Sequence, residues 1–315
     1  MTKSFIAFII FALAFSANPA KTAEFQGITM ALVSLSLDTQ LAPVVAQQAG
    51  FFKEEKLDIR NVTIPQGGAI MIALLTSGEA QLAITGAVSA VQAISRGAPI
   101  TIVSGVFDKA DYILMGARGM SNLNDLRGKV IGSTGAGSFS EFAVVESLRR
   151  KGNLIRDKDY TLVTVGGTAV RVAALQSGRI HAAPVSSGAR INLEREGYPV
   201  LLEIGKAIPE FPFLVLVARN EFVKSDSQKI ASVVRALERS VKLIRSDQNK
   251  AVALGRAYGL PGDLDNQKKY VEYIADSFQL RISDENINAL LKVLKIDRRP
   301  EEFFSDVLLK KALQK

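Results

Sequence analysis

The feature that most constrains this chain is an internal repeat with an offset of one hundred residues. Residues 64–83 align without a gap on residues 164–183, with seven identities in twenty positions. Both copies read as a strand, a glycine turn, a helix that ends at Ser-Gly, and a further strand. The offset is far too long for a solenoid, so the repeat predicts two similar α/β units. The identical pairs are Gly67 with Gly167, Ala69 with Ala169, Ala73 with Ala173, Leu75 with Leu175, Ser77 with Ser177, Gly78 with Gly178 and Ala83 with Ala183.

The repeat extends outward into alternating strands and helices. Each copy is preceded by a strand, a turn, a helix and another strand, over residues 28–62 in the first copy and 129–165 in the second. Alternation of this kind predicts parallel sheets with helices on both faces. Ligands of such sheets bind beyond the carboxyl ends of the strands. Two units that face each other across those ends would therefore form a cleft that closes on a small molecule.

Other segments complete the expected architecture. Short apolar strands at 112–115 and 213–219 lie where the chain would pass between the two units. In the first unit, Asp38 or Thr39 is expected to cap the helix that follows the first strand. From Asp226 onward the chain reads as mostly helical, and we expect these helices to brace the first unit.

A glycine-rich turn in the second unit is the sharpest local candidate for ligand binding. The short strand 130–131 runs into the turn 132–140, and apolar residues then recur at helical spacing. The start of a helix leaves N–H groups unpaired and carries partial positive charge. With Ser138 or Ser140 as the cap, this turn predicts a site for a carboxylate, sulfonate or phosphate. The alternative is a turn with a structural role only. The segment is not a Walker loop, which would need a lysine, and it is not a dinucleotide fingerprint, which would need a third glycine.

Residues 1–23 have the pattern of a secretory signal peptide. Lys3 precedes an apolar run over residues 4–15, small residues follow, and cleavage is expected after Ala20 or Ala23. A membrane anchor is the alternative, although the apolar run is short for a membrane span. The sequence therefore predicts an exported protein without a further membrane segment, and we expect it to be a monomer.

Composition excludes several classes of function. The chain has no cysteine, which excludes disulfides, thiolate metal sites and cysteine nucleophiles. Its net charge of +8 is spread over both halves without the interleaved aromatic and basic residues of a nucleic-acid surface. The single histidine, His181, is expected to be structural or exposed. Asp108 and Asp111 around Lys109 are interpreted as a solvated turn rather than an acid–base pair. We predict no catalytic residue, no metal ligand, no cofactor and no nucleic-acid partner.

Four segments together point to one family. They are AGFFKEEKLD at 49–58, LTSGEAQLA at 75–83, RGAPI at 96–100 and LNDLRGKVIG at 123–132. Over nearly the whole chain after residue 23, the sequence resembles the nitrate/sulfonate/taurine class of periplasmic solute-binding proteins. This class, the SsuA/NMT1/THI5-like group, works with ABC importers.

The resemblance implies a two-lobed periplasmic-binding-protein fold of type II, α/β in class. Each lobe is a mainly parallel sheet flanked by helices, and two segments cross at the hinge. Lobe 1 is expected to comprise residues 24–110 plus 213–315, and lobe 2 residues 111–212. The implied function is capture of a small organic anion, such as a sulfonate or carboxylate, in the periplasm. The implied partners are an ABC permease and its ATPase.

The resemblance also implies a ligand site built from strand ends. Phe139 or Phe211 is expected either to stack on the solute or to pack in the core, and Arg118 and Arg190 are candidate cleft arginines. Ordinary turn and capping roles are the alternative for every other candidate. The predicted binding residues are Ser34, Ser36, Gln66, Gly67, Thr85, Ala87, Thr134, Gly137, Ser138, Phe139, Gly167 and Ser186.

Two other functions are compatible with the resemblance. The group includes the pyrimidine synthases of thiamine biosynthesis, which use a cysteine-rich iron motif, whereas this chain has no cysteine. We therefore expect no enzymatic activity. The second alternative is a sensor that presents its loaded form to a membrane receptor.

Overall fold

The computed structural model describes residues 27–65 and 67–313. The expected signal peptide and Gln66 lie outside these residues. The strands are β1 (Ile28–Leu32), β2 (Ile59–Thr63), β3 (Leu82–Gly86), β4 (Ile100–Phe107), β5 (Tyr112–Gly116), β6 (Lys129–Ser133), β7 (Tyr160–Thr164), β8 (Ala182–Ser186), β9 (Val200–Glu203) and β10 (Leu214–Arg219). The α-helices are α1 (Leu37–Gln48), α2 (Phe51–Glu54), α3 (Gly68–Ser77), α4 (Ala87–Ser95), α5 (Phe139–Gly152), α6 (Thr168–Gln176), α7 (Ser187–Arg195), α8 (Ile204–Ala207), α9 (Asn220–Ser225), α10 (Ser227–Ser246), α11 (Gln248–Tyr258), α12 (Leu264–Ile274), α13 (Asp284–Leu294) and α14 (Asp306–Leu313). Short 3₁₀ helices lie at Leu123–Leu126, Ala275–Ser277 and Pro300–Glu302.

The strands form two sheets of the same topology. The first has the order β2-β1-β3-β10-β4 and the second the order β7-β6-β8-β5-β9. In each sheet the fourth strand in this order is antiparallel to both of its neighbours. The first three strands of each order run parallel to one another. The α/β class and the two units are confirmed, and each sheet is mixed. We call the unit around the first sheet lobe 1 and the unit around the second sheet lobe 2.

The chain passes between the lobes twice, at positions slightly different from the predicted ones. Residues 108–111 connect β4 to β5, and residues 204–213 connect β9 to β10. The apolar runs predicted as connections are instead the antiparallel strands β5 and β10, inside the sheets. A buried apolar run suits a central strand of either direction, because its pattern carries no information on direction. The sheets take their strands from the predicted lobe ranges, and the lobe boundaries themselves stay a prediction.

The ends of the repeated helices follow the sequence pattern. Gly78 ends α3 with a φ of +90°, and Gly178 follows α6 with a φ of +72°. Both values lie in the left-handed region that glycine adopts without steric cost. The predicted glycine stops are therefore confirmed in both copies of the repeat.

The start of α1 corrects one prediction. The capping position is occupied by Ser36, in extended backbone conformation, rather than by Asp38 or Thr39. Ser36 N–H donates to Ser34 Oγ over 3.1 Å, which turns the chain before the helix begins. Asp38 and Thr39 therefore lie inside the first turn, where both are buried.

His181 has the structural role predicted for it, and its repeat counterpart explains why. Its Nδ1 accepts the Val130 N–H of β6 over 3.3 Å. In lobe 1 the equivalent residue, Gln81, accepts the Thr29 N–H of β1 through Oε1 over 2.9 Å. Both side chains thus accept a backbone N–H of the equivalent strands β1 and β6, and this N–H would otherwise lack a hydrogen-bond partner.

The helices after β10 pack mainly on lobe 1. The long helix α10 lies on α1, where Ser240 Oγ donates to Ala42 O over 2.7 Å. An ion pair between Arg235 and Glu55, 2.6 Å apart, joins α10 to the segment after α2. Helix α12 also contacts α7 of lobe 2, so the helical region reaches across the hinge. Within the described ranges, no helix is long and apolar enough to cross a membrane.

Candidate ligand-binding site

A small cavity lies between the lobes, and six helices begin at its wall. Its volume is about 60 Å³. Three of the helices belong to lobe 1 and three to lobe 2, so the two copies of the repeat contribute in the same way. Since helix starts carry unpaired N–H groups and partial positive charge, the wall favours an anion. The capping residues at the wall are Ser36 of α1, Gly67 of α3, Gly86 of α4, Ser138 of α5, Gly167 of α6 and Ser186 of α7.

The six helix starts differ in how their N–H groups are satisfied. At α5 the predicted cap is confirmed, because Ser138 Oγ accepts the Glu141 N–H over 3.3 Å. The first N–H of α4 donates to Phe213 O over 2.9 Å. By contrast, α3 and α6 begin at the repeat-related Gly67 and Gly167, which have no side chain to cap them. These two starts are therefore the best placed to donate to a bound oxyanion.

Contacts across the cavity rim bring the lobes together. Ser89 Oγ of lobe 1 donates to Gly137 O of lobe 2 over 3.0 Å. Within lobe 1, a methyl group on Gly68 would overlap Ser89 Oγ, so only glycine lets Ser89 take up this position. The structure therefore shows the lobes in contact beside this cavity.

The structure brings most of the predicted binding residues to this cavity. Thr85 and Ala87 are fully buried behind the wall, and Gly137 lies at the rim. Gln66 is outside the described residues. Direct contact of any of these residues with a solute stays a prediction. Those at the cavity wall are Ser34, Ser36, Gly67, Thr134, Ser138, Phe139, Gly167 and Ser186.

Arg171 is the arginine of the cavity, and neither Arg118 nor Arg190 lies there. Arg118 Nε donates to Glu196 O over 2.8 Å, and Arg190 pairs with Glu194 and Glu203 of lobe 2. The side chain of Arg171 is only 1% exposed and lines the cavity. The alignment of the repeat copies could have identified Arg171 from the sequence, because it occupies the position of the buried, apolar Met71 in the first copy.

Hydrogen bonds hold the Arg171 guanidinium in place without neutralising it. Nε donates to Pro184 O over 2.8 Å, and Nη1 donates to Thr134 Oγ1 and Gly166 O, each over 2.6 Å. Nη2 donates to Thr168 Oγ1 over 3.1 Å. No carboxylate of the described chain forms an ion pair with it, and burial lowers the pKa of Arg171. Its Cζ lies 5.7 Å from the centroid of the Tyr112 ring, which adds a cation–π contact but no counter-ion. A buried charge without a counter-ion is costly, so a solute anion would supply the missing counter-charge.

Asp38 is a second buried charge at the wall, on the opposite lobe. It is 2% exposed, and burial raises the pKa of its carboxyl group. Its Oδ1 accepts from Ser36 Oγ and, over 3.3 Å, from Thr39 Oγ1. Sequence reasoning treated Asp38 only as a helix cap and missed this position.

Three aromatic rings contribute to the apolar part of the wall, beside Val33, Pro65 and Leu214. The ring centroid of Phe139 lies 4.7 Å from that of Phe213 and 6.3 Å from that of Tyr112. Phe139 thus both packs on other rings and faces the cavity. Phe211 is fully buried elsewhere, edge-on against Phe142 with centroids 5.0 Å apart. Of the two predicted phenylalanines, only Phe139 can therefore touch a solute.

Asp111 corrects the interpretation of residues 108–111 as a solvated turn. It is 7% exposed and accepts hydrogen bonds from Ser187 N–H over 3.2 Å, from Ser187 Oγ and from Tyr270 Oη. Burial, and then the nearby charge of Asp38, raises the pKa of Asp111 to about 7. This carboxyl group therefore ties the first crossing segment to α7 of lobe 2 and to α12.

Comparison with known families agrees with this architecture. The family model described as NMT1/THI5-like matches residues 39–251. The chain belongs to the NMT1/THI5-like family. Curated relatives in this family include the 4-amino-5-hydroxymethyl-2-methylpyrimidine phosphate synthase THI13 of Saccharomyces cerevisiae, 25% identical over 223 residues. That match covers 66% of this chain and spans only 64% of the length of the synthase. A putative thiamine biosynthesis protein of Haemophilus influenzae is 24% identical, over 70% of this chain and 71% of its own.

Comparison with solved structures shows that this chain is also similar to known proteins in its fold. A protein from Bordetella bronchiseptica superposes with a TM-score of 0.77 at 20% identity, covering 91% of this chain and 96% of its own. The ligand-binding component of an ABC-type import system from Staphylococcus aureus gives 0.75 at 18% identity, with 91% and 99% covered. The aliphatic sulphonate-binding protein SsuA from Escherichia coli gives 0.69 at 19% identity, with 85% of each chain covered. This NMT1/THI5-like chain therefore has the fold of periplasmic binding proteins.

Proposed function

We propose that this NMT1/THI5-like protein is the periplasmic substrate-binding protein of an ABC importer, which captures a small organic anion between its lobes. The observation that carries the proposal is Arg171, a buried guanidinium without an ion-pair partner among the described residues, at the wall of an interlobe cavity. The helix starts around the cavity add further positive potential. A carboxylate or sulfonate bound there would neutralise the buried charge and accept N–H donors from both lobes.

Capture follows from the distribution of the binding groups over the two lobes. Arg171 and the start of α6 belong to lobe 2, whereas the start of α3 belongs to lobe 1. A solute held by one lobe gains the second set of contacts only when the lobes close. Because a ligand shifts an equilibrium only by its preference for one state, these added contacts drive closure. The Ser89–Gly137 hydrogen bond then forms across the rim.

Delivery requires partners outside this chain. The expected signal peptide would export the protein, and a permease with its ATPase would take up the solute from the closed form. The fold neighbour from Staphylococcus aureus, a component of an ABC-type import system, supports this assignment. A sensor that shows the same closed surface to a membrane receptor would bind its solute identically, so binding assays alone do not separate the two roles.

A thermal-shift screen of the chain without residues 1–23 tests the proposal, using sulfonates, carboxylates, nitrate and pyrimidines. A ligand at one hundred times its dissociation constant adds about 2.7 kcal/mol to the free energy of unfolding. Organic anions should raise the melting temperature, and Arg171→Met should weaken them about ten- to a hundredfold, since hydrogen bonds to charged groups contribute about 1.5–3 kcal/mol. The matched control is Arg190→Met, because Arg190 does not line the cavity. Stabilisation by metal ions or nucleotides alone would overturn the proposal.

The names of the curated relatives favour a second candidate, a pyrimidine synthase on the same fold. The two functions differ in the fate of the bound solute. A binding protein releases its solute unchanged, whereas an enzyme releases a product. Mass spectrometry of each stabilising solute, recovered after long incubation with excess protein, separates them. Recovery of a modified pyrimidine would favour the synthase.

A further inference from the structure

A buried hydrogen-bond network joins lobe 2 to the helices that pack on lobe 1. Asp111 ends the first crossing segment, and its Oδ2 accepts the N–H of Ser187, the first residue of α7, over 3.2 Å. Its Oδ1 accepts a hydrogen bond from Ser187 Oγ. The hydroxyl group of Tyr270, on α12, donates to Oδ2. Because α12 packs on α11, and α11 packs on α1 of lobe 1, the hydrogen bond between Tyr270 and Asp111 crosses between the lobes. We call Asp111, Ser187 and Tyr270 the hinge network.

The hinge network lies beside the point where the two crossing segments touch. Gly205 of the second segment is so close to the first that a Cβ atom there would lie 2.3 Å from Ala110 O. Two cavities of about 300 and 210 Å³ flank the network, and Asp111 lines the first while Tyr270 lines the second. Rotation of lobe 2 about this contact would carry Asp111 away from Tyr270 and let water from the cavities reach its carboxyl group.

Asp111 has no cationic partner in the part of the chain that the structure describes. It is 7% exposed, and its hydrogen bonds come from neutral groups. Asp38 of lobe 1 adds a second negative charge nearby. Burial, and then this charge, raises the pKa of Asp111 to about 7. Both causes depend on the lobes being close together.

The other titratable groups near Asp111 do not supply a counter-charge. Burial raises the pKa of Tyr112 and of Tyr270, so both phenol groups are neutral below the ordinary range of tyrosine. Arg190 and Lys206 pair with Glu203. The remaining groups, on the first crossing segment, around the two cavities and beyond the Tyr112 ring, are Asp108, Lys109, Arg171, Lys269, Tyr273 and Asp276.

The network accommodates the neutral acid without losing a hydrogen bond. In that state the carboxyl O–H donates to Ser187 Oγ, and the other oxygen still accepts from Ser187 N–H and Tyr270 Oη. The ionised carboxylate keeps the same neighbours but has no cation to offset its desolvation. The structure with the lobes in contact therefore favours the protonated form, whereas contact with water favours the ionised form.

We propose that the hinge network couples closure of the lobes to the uptake of a proton by Asp111. This inference rests on the proposed function and deepens it, because solute capture would then strengthen as the pH falls. In the open form, away from Tyr270 and in contact with water, Asp111 regains a pKa near the ordinary 3.8, whereas in the closed form its pKa is about 7. The contribution to affinity is therefore full near about pH 4 and is lost as the pH rises through about 7.

Calorimetric titration of the chain without residues 1–23 tests the inference, with nitrate, butanesulfonate, benzenesulfonate and benzoate as probes. These anions keep their charge above about pH 5.5, so only the protein exchanges protons. Wild type should bind them about ten- to twentyfold more tightly at about pH 5.5 than at about pH 7.5. Asp111→Asn should bind within about threefold at the two pH values, while the exposed Asp58→Asn should keep the wild-type dependence.

Two further measurements address the coupling directly. Titration in buffers with different enthalpies of ionisation gives the number of protons taken up on binding, which should be about one for wild type at about pH 6 and close to zero for Asp111→Asn. Tyr270→Phe keeps the ring against Gly188 but removes the hydrogen bond between the lobes. Since this hydrogen bond is made in the closed form, the variant should bind about two- to tenfold more weakly.

The outcomes separate the two proposals. Equal binding by wild type at the two pH values, or a pH dependence that survives Asp111→Asn, overturns the coupling and leaves anion capture standing. If none of the four probes binds at either pH and no other anion raises the melting temperature, anion capture fails, and the coupling fails with it. If Asp111→Asn does not fold, the absence of proton uptake by wild type, or unchanged binding by Tyr270→Phe, still overturns the coupling.

Discussion

The hinge carboxyl group of Asp111 makes a prediction about stability that can be worked out from the structure. Its pKa is raised from 3.8 to about 7, because it is buried and lies near Asp38. The folded protein therefore holds this proton up to about pH 7, whereas the unfolded chain releases it near pH 4. Between these values folding takes up a proton. The free energy of unfolding must then fall as the pH rises.

The magnitude follows from the width of that pH window. Each pH unit within it changes the free energy of unfolding by about 1.4 kcal/mol per proton. Between about pH 5 and pH 8 the contribution of Asp111 is therefore a loss of roughly 3 kcal/mol, with no further loss above pH 8. Asp111→Asn has no proton to exchange, so this part of the pH dependence should disappear in the variant.

Urea unfolding of both proteins at about pH 5, 6, 7 and 8 measures the effect. The free energy of the variant minus that of wild type should increase by roughly 3 kcal/mol across the series, with unchanged m-values. Other carboxyl groups titrate in both proteins and largely cancel in this difference. The exposed Asp58→Asn is the control for loss of one negative charge. A difference that stays constant with pH, or that decreases, would refute the reasoning.

Two further predictions concern the rim and the repeat. Gly68→Ala places a methyl group against Ser89 Oγ and Cβ within lobe 1, so Ser89 must move and its hydrogen bond to Gly137 O across the rim is lost. Loss of this hydrogen bond should favour the open form, weaken solute binding about two- to tenfold and enlarge the radius of gyration measured with solute by X-ray scattering. Gly135→Ala, with only an ordinary contact at 3.7 Å, should change neither quantity, and an equal effect of both variants would contradict the role of the rim. His181→Gln should keep the melting temperature, because Gln81 fills the same role in lobe 1. His181→Leu leaves the half-buried Val130 N–H without its acceptor and should lower the free energy of unfolding measured in urea by about 1 kcal/mol. Equal stability of the two variants would count against this equivalence.

The elements that the sequence predicted well are those with local signatures. Strands, helix starts and the stops at Gly78 and Gly178 depend on apolar spacing and on backbone conformations that few residues adopt. The antiparallel direction of β5 and β10 has no such signature, because a buried apolar strand looks alike in both directions. The position of β5 and β10 in their sheets depends on where the chain crosses between the lobes, which is a long-range property.

The same distinction between local and long-range properties applies to the residues of the site. Hydroxyl-bearing and glycine residues at helix starts, such as Ser138 and Gly167, were predictable because capping is a local property. The charged residues were missed, because a charge is read as exposed unless tertiary packing buries it. Asp38 was taken for a cap, and Asp111 for part of a solvated turn. Only for Arg171 did the sequence hold a usable signal, a cation in a position that the other repeat copy fills with methionine.

The difference between Met71 and Arg171 in the two repeat copies indicates how selectivity can arise in this site. Positions that agree between the copies, such as Gly67 and Gly167, hold the common backbone and present a similar set of N–H donors from each lobe. A site built from these alone would be nearly symmetric and would bind many small anions. Selectivity needs groups that break the symmetry, and these must arise where the copies differ at the cavity wall. Arg171 occupies such a position, so the solute should be oriented, with its anionic end toward lobe 2.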